Sequence, residues 1–131
     1  VIRAYSDALE TRLREATLLA EVTFSGVVTD RPPFYCTYFL DSGLRKQGRF
    51  AGRHNFATFS LITHSVGVTV EQAQLVDEQV IAQLNGFIPE VEGRKTHAIR
   101  HEVARKPIWD RDLTPPLWLI ANEFVFDSDP I

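Results

Sequence analysis

Methionine is absent from this chain of 131 residues and cysteine occurs once. No apolar run approaches the roughly 20 residues that a membrane-spanning helix needs, which excludes a helical span. The lone Cys36, inside the run YCTYFL, has no partner for an intrachain disulfide. It reads either as a small buried hydrophobe or as a reactive thiol, and it gives no sign of an oxidising compartment. The opening residues, VIRAYSDALETRLREA, carry charge throughout. They lack the apolar stretch of a signal peptide, so the expected place of synthesis and retention is the cytoplasm, with an initiator removed. Excess positive charge is lacking too. The formal net charge is −3 and the isoelectric point is near 5.8, against a surface wholly devoted to nucleic acid. Neither an internal repeat nor a low-complexity run is visible.

The patterns that carry catalysis are missing as well. Ser25, Ser60 and Ser65 stand outside any GxSxG context, and no glycine-rich turn leads from a strand into a helix to cradle a phosphate. His97 and His101 form an HxxxH spacing, which on a helix would put two imidazoles on one face. On the strand expected here they would stand roughly 13 Å apart, too far to share an ion. His54 and His64 read as structural or surface histidines. Glu71, Asp77, Asp110 and Asp112 read as solvated acids. No enzyme, cofactor or metal site is expected.

What is present suffices for one domain, 1–131. A chain of this length buries roughly 65–70% of its unfolded surface, so one core holds it without staples. Hydrophobic residues make up 44% and charged residues 24%, the balance of an ordinary globular protein, with nine Phe and two Trp to fill a core or an interface. Ile2, Tyr5, Leu9, Leu13 and Ala16 recur at helical spacing. Residues 22–28 read as a strand broken by Gly26 and stopped by the Pro32-Pro33 turn. FYCTYFL (34–40) and HNFATFSLITHSV (54–66) read as strands joined in a long hairpin. Thr69 with Gln72 forms a capping box that opens a second helix carrying Val70, Ala73, Val76, Val80, Ile81 and Leu84, stopped at Asn85-Gly86. Residues 87–95 read as a loop and residues 96–105 as a half-buried strand, with Ile99, His101 and Val103 on its inner face. Residues 106–116 read as a proline-bounded loop and LWLIANEFVF (117–126) as a central strand, with a fraying tail. The expected fold is α+β: a mostly antiparallel β-sheet with two helices packed on one face, and a long β-hairpin arm.

That arm is the feature with most functional content. DSGLRKQGRFAGR (41–53) carries Arg45, Lys46, Arg49 and Arg53 against Asp41, a net +3. The chain's −3 less this +3 leaves −6 on everything else. A 13-residue tip exceeds the usual hairpin loop of about two to five residues. Three readings stand: a solvated tip, a docking arm for an acidic partner or a neighbouring copy, or a contact for nucleic-acid phosphates. Phe50 among the arginines has the character of an interface anchor. Ile108 to Leu113, with Trp109 and Arg111, is a second contact segment. Trp109 there is either folded onto the core or presented to a partner.

Taken together, these elements resemble the tail terminator family of long-tailed bacteriophages, the tail-to-head joining or tail completion proteins. The likeness spans nearly the whole chain: IRAYSDALETRLREA, DRPPFYCTYFL, HNFATFSLITHSVG, TVEQAQLVDEQVIAQLNG and PLWLIANEFVF. The segment IWDRDLTPPLW has no match in that pattern. The resemblance implies a non-enzymatic virion protein of the tail or neck, assembled in the host cytoplasm. Its copies would form a ring, typically a hexamer, that caps the tail tube and stops its polymerisation. Its partners would be sibling copies, the tail tube protein and a head-side neck or stopper protein, with DNA passing through the lumen and no membrane. The same resemblance puts Arg45, Lys46, Arg49, Phe50 and Arg53 near the tube or the adjacent subunit. The alternatives are another neck component, such as a head-completion or stopper protein, a small ligand-binding domain, or a nucleic-acid-binding module.

Overall fold

The computed structural model describes residues 2–26, 32–41, 57–110 and 116–130. Tyr5, Leu9 and Leu13 recur every four residues and are all buried, so Ile2–Arg14 (α1) is a helix with one dry stripe. Arg12 and Arg14 occupy its last turn, where cations complement the carbonyl end. Arg14 also donates to the carbonyl oxygens of Ala20 and Thr23, at 2.5 and 2.6 Å. That clamp fixes the short 3-10 turn Thr17–Leu19 and the first strand, Thr23–Ser25 (β1). Gly26 takes φ = +76° and turns the chain directly after Ser25, where β1 ends; residues 27 and 28 of the strand expected over 22–28 lie outside the described residues.

Phe34–Asp41 (β2) and Ala57–Gly67 (β3) pair antiparallel, from Phe34 opposite Gly67 to Asp41 opposite Ser60. The expected hairpin is therefore present, while its tip lies outside the described residues. Val70–Leu84 (α2) follows almost at once. Its capping box forms as the sequence predicts: Thr69 Oγ1 accepts from the Gln72 amide, and Gln72 Oε1 accepts from the Thr69 amide. The strand-to-helix corner depends on Gly67. A Cβ at that position would lie 2.6 Å from the Ala73 nitrogen and 2.7 Å from Gln72 Cβ, closer than carbon atoms approach.

The remaining strands are Arg94–Thr96 (β4), Arg100–Ala104 (β5), Ile108–Asp110 (β6) and Leu117–Pro130 (β7). All three short ones pair antiparallel with β7, which pairs along its other edge with β3. Among the described residues the seven strands form one sheet, and every pairing is antiparallel except β1 with β2. Both helices pack on one face of it, an α+β fold. Three segments depart from the sequence-based expectation. The strand expected over 96–105 is reduced to β5, with a bulge between His101 and Val103, and β4 takes in the end of the expected loop 87–95. The expected loop 106–116 contains β6, whose Trp109 pairs with Trp118. The tail continues as strand instead of fraying. Arg94 donates to Ser128 Oγ and O at 2.9 and 2.8 Å and His97 meets Asp129 at 3.0 Å, which hold the strand end against β4.

The core lies between helices and sheet. Tyr5 packs against Phe59 and Phe126 with ring centroids 4.9 and 5.2 Å away, and those two rings stack on each other. The Tyr5 hydroxyl shares hydrogen bonds with Thr96 Oγ1 and Ser128 Oγ, at 2.7 and 2.5 Å. The aromatic body therefore sits dry and its polar tip is satisfied. Arg12 and Gln83 exchange side-chain-to-backbone bonds of 2.9 and 2.8 Å that tie α1 to α2.

Replacing Gly67 with alanine is expected to lower stability by about 1–3 kcal/mol, the usual cost of forcing atoms into a filled space. Urea denaturation checks this; an unchanged midpoint would show that the first turn of α2 moves aside freely.

Candidate interaction surfaces

Strand alternation gives the sheet two unlike faces. On the helix side lies one polar network inside the core. Asp77, on the sheet-facing stripe of α2, accepts from Ser65 Oγ at 3.1 Å and from Asn122 Nδ2, both through Oδ1. The Asn122 carbonyl oxygen meets His101 Nε2 at 2.9 Å, and the imidazole stacks on Phe124. Asp77 is thus half-buried, where the sequence suggested a solvated acid. Burial raises its carboxyl pKa, and bonds from Ser65 and Asn122 and the field of His101 oppose that rise. This arrangement ties α2 to β3, β7 and β5. Asp77 lies on the same stripe as Ala73, Val80 and Leu84, and Ser65 and Asn122 occupy inward strand positions. A polar residue at an inward position on each of three elements was the available signal.

The histidines do not converge. His97 pairs with Asp129 at the sheet end, while His101 points to Asn122. Among the described residues no three His, Cys, Asp or Glu side chains gather as a metal site requires. Cys36 is buried beside Thr23, 3.4 Å from its hydroxyl, and burial pushes its thiol up to about 11. The reading as a packed hydrophobe holds and the reactive reading does not, since the thiolate is the nucleophile.

The opposite face of the sheet is different. At one end Tyr35, Val66 and Leu117 form a small buried cluster with Val22, Phe24 and Leu119. Beyond it the face opens. Phe39, Ile62 and Glu123 are cross-strand neighbours on β2, β3 and β7, and Phe39 and Ile62 remain 44% and 40% exposed. His64 stands edge-on to Phe39 at 5.8 Å, and its partial burial lowers its pKa. Carboxylates surround the pair. Glu123 accepts from Ser60 Oγ at 3.0 Å, Asp127 accepts from Thr58 Oγ1 at 2.9 Å, and Asp41 is opposite Ser60. Arg100 reaches Asp127 at 3.4 Å and Glu102 at the same distance. An apolar centre with an acidic margin is the anatomy of a contact surface.

Of the contact residues expected from sequence, Arg45, Lys46, Arg49, Phe50, Arg53 and Arg111 lie outside the described residues. Asp41, the first residue of the cationic segment, ends β2 beside the open face, so that segment departs next to Phe39 and Ile62. Trp109 is packed against the sheet on one side. It stacks on Trp118 at 6.2 Å and still exposes 44% of its surface at the sheet margin.

No protein-family model matches the chain, and no curated protein matches it. Among solved structures, a chain from the virion of a native gene transfer agent particle is similar. It is 13% identical with a TM-score of 0.74, and the match covers 94% of this chain and 92% of that one. At that identity the likeness is one of fold.

Two substitutions test the internal network. With its carboxyl pKa raised, folded Asp77 holds a proton that the unfolded chain has already released. Its contribution to stability therefore declines as pH climbs from the ordinary carboxyl pKa through the raised value. Asp77→Asn keeps an acceptor for Ser65 and Asn122 and should flatten that decline. Asp77→Ala orphans two buried donors and should cost about 1–3 kcal/mol. Urea melts between pH 4 and pH 7 separate the two, and equal losses would show that the carboxyl oxygen is dispensable. Thr63 Oγ1 is buried with no hydrogen-bond partner among the described residues, so Thr63→Val should be neutral or stabilising in the same melts.

Proposed function

We propose that this chain is a tail terminator: a non-enzymatic virion protein whose copies close into a ring, hexameric in the family it resembles. That ring caps the tail tube, stops its growth and joins it to the head-side neck or stopper protein. The observation that carries the reading is a fold match over nearly the whole of both chains to a component of a virion particle. The family pattern in the sequence runs over the same length. The physics agrees with it. A ring needs one patch that docks into a different patch on the next copy. A +3 segment against a −6 remainder supplies opposite charges for such a pair. The described residues offer no convergent catalytic constellation in competition, since their best polar cluster is spent on holding α2 to the sheet.

In this reading Arg45, Lys46, Arg49, Phe50 and Arg53 make the docking arm, and Trp109 with Arg111 adds a second contact at the sheet margin. The protein works at the neck of the tail, with DNA passing through the ring.

Replacing Arg45, Lys46, Arg49 and Arg53 together with glutamine should leave the monomer folded, judged by circular dichroism and melting, while tube capping weakens. Tails assembled with the variant should lengthen or fall in yield under the electron microscope. Normal-length tails at normal yield would remove the docking role from this segment.

A further inference from the structure

We infer that the acid-margined apolar patch centred on Phe39 and Ile62 is the acceptor for segment 42–56 of a neighbouring copy. The inference rests on the ring reading above and deepens it by naming the surface that receives the arm.

Ile62 lies on β3, between β2 and β7 in the middle of the sheet. A large apolar side chain 40% exposed there, beside an aromatic 44% exposed on the next strand, leaves dry surface that association covers. Both side chains stay exposed in the described structure, and the ring reading supplies a neighbouring copy to cover them. The occupant is set by complementarity. The patch is apolar at its centre and carries Asp41, Glu123 and Asp127 around it; segment 42–56 carries Phe50 at its middle, flanked by Arg49 and Arg53. One aromatic for the dry centre and a guanidinium for Glu123 are the complementary pairs, Asp127 being already met by Arg100. Glu123 has no cationic partner among the described residues and is held in place by Ser60, so it is a fixed acceptor awaiting a cation. Reach also permits it. Fifteen residues running out and back span at most about 25 Å at roughly 3.3–3.6 Å per residue, enough to cross to an adjacent subunit. Arm and patch are different surfaces on every copy, so the contact is heterologous and propagates until a ring closes.

The test uses two full-length variants. The patch variant carries Phe39→Lys and Ile62→Thr; the arm variant carries Arg45→Glu, Lys46→Glu, Arg49→Glu and Arg53→Glu. All of the patch positions are exposed, and melting curves confirm that both variants fold. Sedimentation velocity should find each variant monomeric, its self-association at least a hundredfold weaker than wild type. Mixed, they should form a one-to-one heterodimer and nothing larger, because one copy contributes its intact arm and the other its intact patch. Should the patch variant fold poorly, Glu123→Lys keeps the apolar centre and should weaken self-association at least tenfold.

A patch variant that assembles like wild type while the arm variant does not would overturn the acceptor assignment and leave the ring reading standing. A mixture that stays monomeric would overturn it equally. A wild-type chain that remains monomeric even on tail tubes would refute the ring reading, and this inference with it.

Discussion

The backbone ladder of β7 organises the molecule. Its fourteen residues pair on one edge with eleven residues of β3 and on the other with β6, β5 and β4 in turn. Because successive side chains point to opposite faces, this one register decides what is dry and what is wet. Ile120, Asn122, Phe124, Phe126 and Ser128 all go under the helices, and Leu119, Glu123, Val125 and Asp127 go outward. Each large inward side chain contributes about 1.5–3 kcal/mol by burial. A slip of one residue would exchange Phe124 and Phe126 for Glu123 and Asp127, so no neighbouring register competes.

The same alternation leaves the second face of the sheet partly open among the described residues. Among the described residues both helices pack on one face of the sheet, and the other is covered at one end by Tyr35, Val66 and Leu117. What is left is a cross-strand row of Phe39, Ile62 and Glu123 beside the root of the cationic segment.

Much of the fold was legible because long periodic segments declare themselves. Tyr5, Leu9 and Leu13 gave α1, the Thr69–Gln72 box gave the start of α2, and the aromatic runs gave β2, β3 and β7. β4 and β6 were not legible for a physical reason. Three residues carry no measurable period, and those strands exist because β7 offers them an edge. The open face was hidden for a different reason. FYCTYFL is apolar at both odd and even positions, so nothing in it says which side the helices will take. Asp77 was misread because its inward position on the stripe of α2 counts as a signal only beside the inward Ser65 and Asn122, which are distant in sequence.

Electron microscopy of tail tubes incubated with the purified full-length chain tests the central claim most directly. The expected image is a discrete ring of uniform copy number on one end of each tube, with elongation from that end halted when more tube protein is added. Bare tube ends that go on elongating at their usual rate, with the chain left free in solution as single molecules, would contradict the account.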